Sequence, residues 1–289
     1  MTRPAWSLIT PTGKLEIAGG LTALRLRHPW SRLQSVHRAV DVIGPTLLRP
    51  GIRGIAPLRA HQAGVFTWST PDARPLAALA PRLPAPALIA YAAHAARALS
   101  AAARAGAAIG LPSHGHLLPY VFLCGPDGAP QIIAWGMPEP ETLRRRLTGD
   151  DSWIAADVAS AVPPEMSAST QPTEATDVWC LARALQQVLP ADHVLSPLRA
   201  ALSPSLKDRP TLAQLARALD AHADPVALCR AAGRVDAEQH GDDRATQAQD
   251  PAQPPAVGPA HLTPSGDELL ASLKQRITPL GGLGGDPLE

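Results

Sequence analysis

Residues with usable chemistry crowd into one stretch, Ser113 to Gly136, SHGHLLPYVFLCGPDGAPQIIAWG. His114 and His116 stand one residue apart, a spacing that on an extended segment can offer two ligands to zinc. No further cluster of cysteine, histidine or acidic residues lies nearby in sequence to complete such a site. Ser113 beside His114 makes a poor nucleophile–base pair, because adjacent residues rarely face one another and no G-x-S-x-G elbow presents the hydroxyl. His116 alone could accept a proton, which leaves an enzyme of altered chemistry as one reading.

Regular structure must hold that stretch in place. Val121 to Cys124 and Ile132-Ile133 are apolar runs separated by Gly125-Pro126-Asp127-Gly128, and such runs about a Pro/Asp/Gly turn read as a β-hairpin. Ahead of it, Leu88 to Gly106 is an Ala-rich helix with Leu88, Ala92, Ala95 and Leu99 on one face and a glycine at its stop. His94 falls mid-helix, as a core or edge residue. Residues 71–87 carry five prolines and read as a connector. Upstream, Leu21 to Leu26 alternates like a half-buried strand, and Arg32 to Ile43 spaces Leu33, Val36, Val40 and Ile43 along one helical face. Residues 55–60 and 65–68 supply two more strands.

This order resembles the bacterial eukaryotic-like Ser/Thr protein kinases. His114, Leu117 and Pro119 keep the spacing of the catalytic loop H-R-D-L-x-P-x-N, Asp127-Gly128 sit at the following turn, and Gly136 closes a D-F-G position. Thr22-Ala23-Leu24-Arg25 resembles the V-A-I-K strand, and Pro163-Pro164-Glu165 the A-P-E end of the activation segment. Thr176-Asp177-Val178-Trp179-Cys180-Leu181-Ala182 resembles the start of the large buried helix of the C-lobe, with Thr176 as its expected N-cap. Asp208-Arg209-Pro210-Thr211 resembles the link between the last two helices.

The resemblance implies an α+β, two-lobed kinase-like fold. Its expected parts are a reduced strand-rich N-lobe at 1–70, a connector at 71–87 and a helical C-lobe at 88–229 that lacks one helix. It also implies fold-stabilising roles: Glu165 and Arg209 would form a buried salt bridge, and Asp177 would accept hydrogen bonds from the catalytic-loop backbone. The chemical positions are degenerate. Arg25 stands for the phosphate-gripping lysine, His116 for the catalytic base, Val121 for the metal-binding asparagine and Ala134 for the metal-binding aspartate. No G-x-G-x-x-G precedes the Arg25 strand, and the 32–43 helix holds no glutamate. Phosphoryl transfer rests on positioning and on metal ions that neutralise charge. The expectation is therefore a pseudokinase without metal, cofactor or Mg-ATP.

The chain has 289 residues, 45% hydrophobic, enough for a sizeable core. A net charge of +1 supplies no global field for nucleic acid or an anionic membrane. No run of 18 apolar residues occurs, which argues against membrane insertion. Cys124, Cys180 and Cys229 lie far apart in apolar contexts, as buried thiols of a reducing compartment, and the expected location is the cytoplasm. The Ala, Arg and Pro usage suits a bacterial source.

Residues 230–262 are polar and low in complexity, a disordered linker. Beyond it, 263–280 reads as a short amphipathic helix whose Leu269, Leu270, Leu273 and Ile277 form an apolar stripe, ahead of a flexible tail at 281–289. A helix that short is marginal alone and needs a surface, its own domain or another protein. The functional expectation is a protein-binding scaffold or allosteric regulator. A metal-independent nucleotide or small-molecule sensor, with Trp68 and Trp135 lining the cleft, is the alternative.

Overall fold

The computed structural model of the chain describes residues 6–10, 13–26, 52–62, 64–108, 112–115, 117–135, 162–168, 172–190, 193 and 195–233. Five antiparallel strands build the N-terminal sheet: β1 (Trp6–Thr10), β2 (Gly13–Ala18), β3 (Leu21–Leu26), β4 (Leu58–Gln62) and β5 (Val65–Ser69). They lie in the order β1-β2-β3-β5-β4. Alternation in β2 and β3 sends Leu15, Ile17, Thr22, Leu24 and Leu26 to one face. Register carries that row across the sheet, Leu15 opposite Leu24 and Leu24 opposite Phe66, with Thr22 opposite Trp68. Phe66 and Trp68 are buried and their rings stack, with His61 against Phe66 on the other side.

Between the sheet and the helical part runs the segment after β5. Thr70 donates its N–H to the Gly20 carbonyl at 2.8 Å, and the Thr22 and Thr70 hydroxyls meet at 2.7 Å in a buried pair. The two-residue strand β6 (Arg74–Pro75) then pairs with β7 (Phe122–Cys124), which pairs with β8 (Pro130–Ile132). After β6 come the short helix α1 (Leu76–Leu79), a 3-10 turn (Ala80–Arg82) and α2 (Ala85–Ala107).

Alanines let α2 be buried along most of its length, since a methyl group allows close approach by neighbouring helices. Its Tyr91 hydroxyl donates to the Leu123 carbonyl at 2.8 Å and ties the helix to the hairpin. Against α2 pack α3 (Glu174–Val188) and α5 (Leu212–Asp220), and α4 (Ser196–Ala201) packs on these two. A further helix, α6, spans 225–233, and its Leu228 packs on the β7–β8 turn at Gly128.

A second junction joins the two parts. Ile55 forms a parallel bridge with Ile132 of β8, Ile132 donates to the Gly54 carbonyl and Ala56 donates to the Ile132 carbonyl, both at 2.8 Å. Gly54 has φ +92°, and a Cβ there would stand 2.5 Å from the Ala98 Cβ of α2. Only glycine meets both conditions.

Several expectations are corrected by this arrangement. Trp6–Thr10 and Gly13–Ala18 form two strands that the sequence reading did not separate. The N-cap of α3 is Thr173; Thr176 is its N3 residue, and its hydroxyl accepts the Thr173 N–H at 3.0 Å in a capping box. Cys124 and Cys180 are buried, but Cys229 is exposed, because it lies on the outer side of α6. That helix also runs past Arg230, into the stretch read as linker. Among the described residues no helix is long and apolar enough to cross a membrane. The expected helix at 32–43 and the stripe Leu269, Leu270, Leu273 and Ile277 lie outside the described residues.

Candidate functional site

The loop of Ser113 to Val121 leaves α2 and enters β7, and its backbone is held from below by α3. Asp177, in the first turn of α3, accepts the His114 N–H at 2.6 Å on one oxygen and the Gly115 N–H at 3.0 Å on the other. Burial pushes the Asp177 carboxyl up to about 7, against the pull of the two backbone donors, and the Glu174 charge adds to the rise. Gly115 has φ +76°, and a Cβ there would stand 2.8 Å from Pro172 Cγ, so the segment before α3 lies directly on the loop. Ser113 donates its hydroxyl to the Pro172 carbonyl at 3.0 Å, which removes it from any nucleophile–base pair with His114.

The His114 ring is equally committed. Its Nε2 lies 2.8 Å from the Ile133 carbonyl, an acceptor only, so Nε2 carries the proton and donates. The Trp135 ring meets the imidazole edge to face, centroids 5.6 Å apart at 84°. Ile133 in turn donates its N–H to the Val121 carbonyl at 3.2 Å, closing a ring of contacts between the two strands of the hairpin. His116 lies outside the described residues. Among the described residues no group of three His, Cys, Asp or Glu is placed to hold a metal.

Val121 ends a 3-10 turn (Pro119–Val121) and is fully buried. Ala134 follows β8 with φ +65° and is 2% exposed. Both side chains are hydrocarbon, and hard divalent cations take oxygen ligands. The magnesium clamp of a phosphotransferase therefore does not fit the residues at these two positions.

Arg25 is half-buried in β3, opposite Lys14 on β2 and Val65 on β5. Alternation sets it on the face of Lys14, Glu16 and Ala23, not in the core row of Leu24 and Phe66; Lys14 and Glu16 form an ion pair there at 2.7 Å. The register of β1 with β2 pairs Thr10 with Gly13, leaving only positions 11 and 12 to join them. Trp68 and Trp135 are 1% and 2% exposed, so neither offers a ring face to a ligand between the lobes.

At the same N-terminal end of α3, Glu165 lies in a 3-10 turn (Pro164–Ala168) and Arg209 follows the turn Leu206–Asp208. The guanidinium grips the carboxylate with two bonds of 2.8 Å, one to each oxygen. Arg209 also donates Nε to the Ser203 carbonyl at 2.8 Å and a fourth bond to the Ala175 carbonyl at 3.0 Å. Burial alone would push the Glu165 carboxyl up; the Arg209 hydrogen bond, its own backbone N–H, the Arg209 charge and Thr176 outweigh this and hold it below the usual range. Sequence reasoning names both partners of this pair but not the carbonyls of Ser203 and Ala175, nor Pro172 and Ile133 around the loop. Backbone acceptors leave no mark on residue type.

Taken together, the antiparallel N-terminal sheet, the connector and the helical part around the His114 loop define a protein-kinase-like fold. Among solved structures, the chain is similar to the PknI kinase domain of Mycobacterium tuberculosis, with TM-score 0.52 and 16% identity over 77% of this chain and 98% of that one. A substituted variant of that domain gives the same TM-score and identity, over 76% and 94% of the two chains. No family model and no curated protein sequence matches the chain.

Proposed function

We propose that the chain is a catalytically inactive kinase-like domain, a pseudokinase, that works as a protein-binding scaffold or allosteric regulator in the bacterial cytoplasm. The observation that carries this reading is the chemistry of Val121 and Ala134. By the sequence resemblance they correspond to the metal-ligand positions of a kinase; both are buried, and neither side chain has an oxygen. The loop around them is nonetheless tied down through Asp177, His114 and Ile133. A scaffold needs a rigid surface and no metal, and these residues meet that need. Protein partners are the expected ligands, with the stripe of Leu269, Leu270, Leu273 and Ile277 as one docking element.

The test is transfer from γ-labelled ATP with magnesium, alongside thermal melts with and without Mg-ATP. No labelled product and no magnesium-dependent shift are expected. Metal-dependent stabilisation together with phosphate transfer ends the reading.

A further inference from the structure

The β4–β5 hairpin is held at both of its ends by the β7–β8 hairpin. Positions 54–56, which lead into β4, lie parallel to β8 on its free edge. Ile132 donates there to the Gly54 carbonyl and accepts the Ala56 N–H, both at 2.8 Å. The segment that leaves β5 lies along β7 on the side away from β8, with Arg74 opposite Cys124 and Pro75 opposite Leu123. The two ends also meet each other, since Ser69 donates to the Pro57 carbonyl at 3.0 Å. Backbone pairing thus closes a ring, from β8 through both ends of the β4–β5 hairpin to β7 and back. Two side-chain contacts brace it. Gln131 of β8 donates Nε2 to the Pro71 carbonyl at 3.1 Å, and the Thr22 and Thr70 hydroxyls join β3 to the departing segment.

We propose that this ring is a lock that fixes the N-terminal sheet on the helical part, so that the two move as one body instead of opening and closing about the connector. A hinge works where a few residues absorb the change in backbone angles. Here rotation would also pull Ile132 away from Gly54 and Ala56. Ile132, Ala56, Thr22 and Thr70 are all buried, so water does not replace the bonds that open. The Gln131–Pro71 bond is exposed and is the lighter brace. Tyr91 and Ala98 of α2 extend the hold to the helices, one on the Leu123 carbonyl and the other against Gly54. A partner then meets a surface that is set before binding, with no open and closed populations to select between. The inference concerns motion and goes beyond the non-catalytic reading: it holds whether or not the chain transfers phosphate.

The test reads distances between nitroxide pairs in the full chain by double electron–electron resonance. One pair sits at Arg59→Cys on β4 and Ala218→Cys on α5, both exposed, in a Cys229→Ser background, since Cys124 and Cys180 are buried and Cys229 is not. A control pair, Ala105→Cys on α2 with Ala218→Cys, lies within the helical part. With the ring intact, the β4–α5 pair should give one distance peak as narrow as that of the control. Ala56→Pro deletes the N–H that Ile132 accepts, and Gln131→Leu deletes the amide on Pro71. Together they should widen the β4–α5 distribution and leave the control narrow; Gln131→Leu alone, which loses only an exposed bond, should leave both narrow. Two peaks or a broad spread from the intact ring overturns the proposal. So does a double variant whose β4–α5 peak stays as narrow as its parent's, because the rigidity then resides elsewhere. Should the control widen as well, the variant has melted, and the intact chain's own distribution decides.

Discussion

Asp177 accepts the backbone N–H of His114 at 2.6 Å and that of Gly115 at 3.0 Å, so one carboxylate on α3 fixes a loop that lies 63 residues earlier in the chain. The cost of holding it there is visible in its titration. Its folded value of about 7 stands above the ordinary 3.8. Between those values the folded state keeps a proton that the unfolded chain has released, so stability is greatest below 3.8 and falls as pH rises toward 7. The slope is at most about 1.4 kcal/mol per pH unit for one proton. Glu165, held low, changes nothing between pH 5 and 8. His94, lowered from 6.5 by burial and then by the Arg97 charge, works in the opposite sense and gains stability as pH rises through that range. The clean measurement is therefore the difference in urea-unfolding free energy between the wild type and Asp177→Asn. That difference should move against the wild type from pH 5 to 7 and level off above 8. A difference independent of pH means the carboxylate is an ordinary one.

Arg209 makes the second prediction. Its side chain is wholly buried and that of Glu165 is 10% exposed, so removing one partner strands a charge in a poor dielectric. Arg209→Ala should cost roughly 3–5 kcal/mol in urea unfolding at pH 7. Glu165→Gln should cost less, because Arg209 keeps its bonds to the Ser203 and Ala175 carbonyls. Arg209→Lys loses the fork and should fall near the alanine variant. If Arg209→Ala unfolds within about 1 kcal/mol of the wild type, the pair is no better than a surface ion pair.

What the sequence shows of this fold follows from which interactions need particular side chains. Asp177 and Arg209 are buried polar groups and Glu165 a partly buried one, tolerable only with the partners they have, and so their residue types and spacing are readable. Strand β3 is readable because one of its faces is buried. The β1–β2 hairpin is harder at its first strand, since Trp6–Thr10 alternates little and Pro11 follows it, whereas Lys14 to Ile17 alternates as β3 does. Ile55 shows the same limit: it reads as the start of a strand, yet it makes only one bridge, to Ile132, and β4 begins at Leu58.

Gly54 supplies a third prediction, at the junction with β8. Gly54→Ala places a methyl 2.5 Å from the Ala98 Cβ and forces an L-residue to φ +92°. The backbone cost alone is about 1–2 kcal/mol, and overpacking adds roughly 1–3 kcal/mol. Combining it with Ala98→Gly relieves the collision but not the backbone strain. The double variant should thus recover part of the lost melting temperature and no more. Full recovery would show that the backbone at this position relaxes freely, and no recovery would show that the collision lies elsewhere.

The fourth prediction puts oxygen back. Ala134→Asp suits φ +65° better than alanine does, because a short polar side chain can bond its own backbone, but it also buries a carboxyl at a position 2% exposed, so this variant should lose at least about 1–3 kcal/mol in unfolding free energy. Val121→Asn buries an amide at a position with no exposure, and should cost about 1–3 kcal/mol in unfolding free energy. The double variant then carries both ligand types, yet it should still transfer no phosphate from Mg-ATP. No G-x-G-x-x-G precedes Arg25, and its guanidinium is a wide planar fork rather than the compact ammonium that fits between phosphates. Metal ligands without a phosphate cradle bind an ion but do not orient a γ-phosphoryl group. Labelled product from the double variant would mean that only Val121 and Ala134 separate this chain from a working kinase, and the scaffold reading would have to yield to a recent and reversible loss.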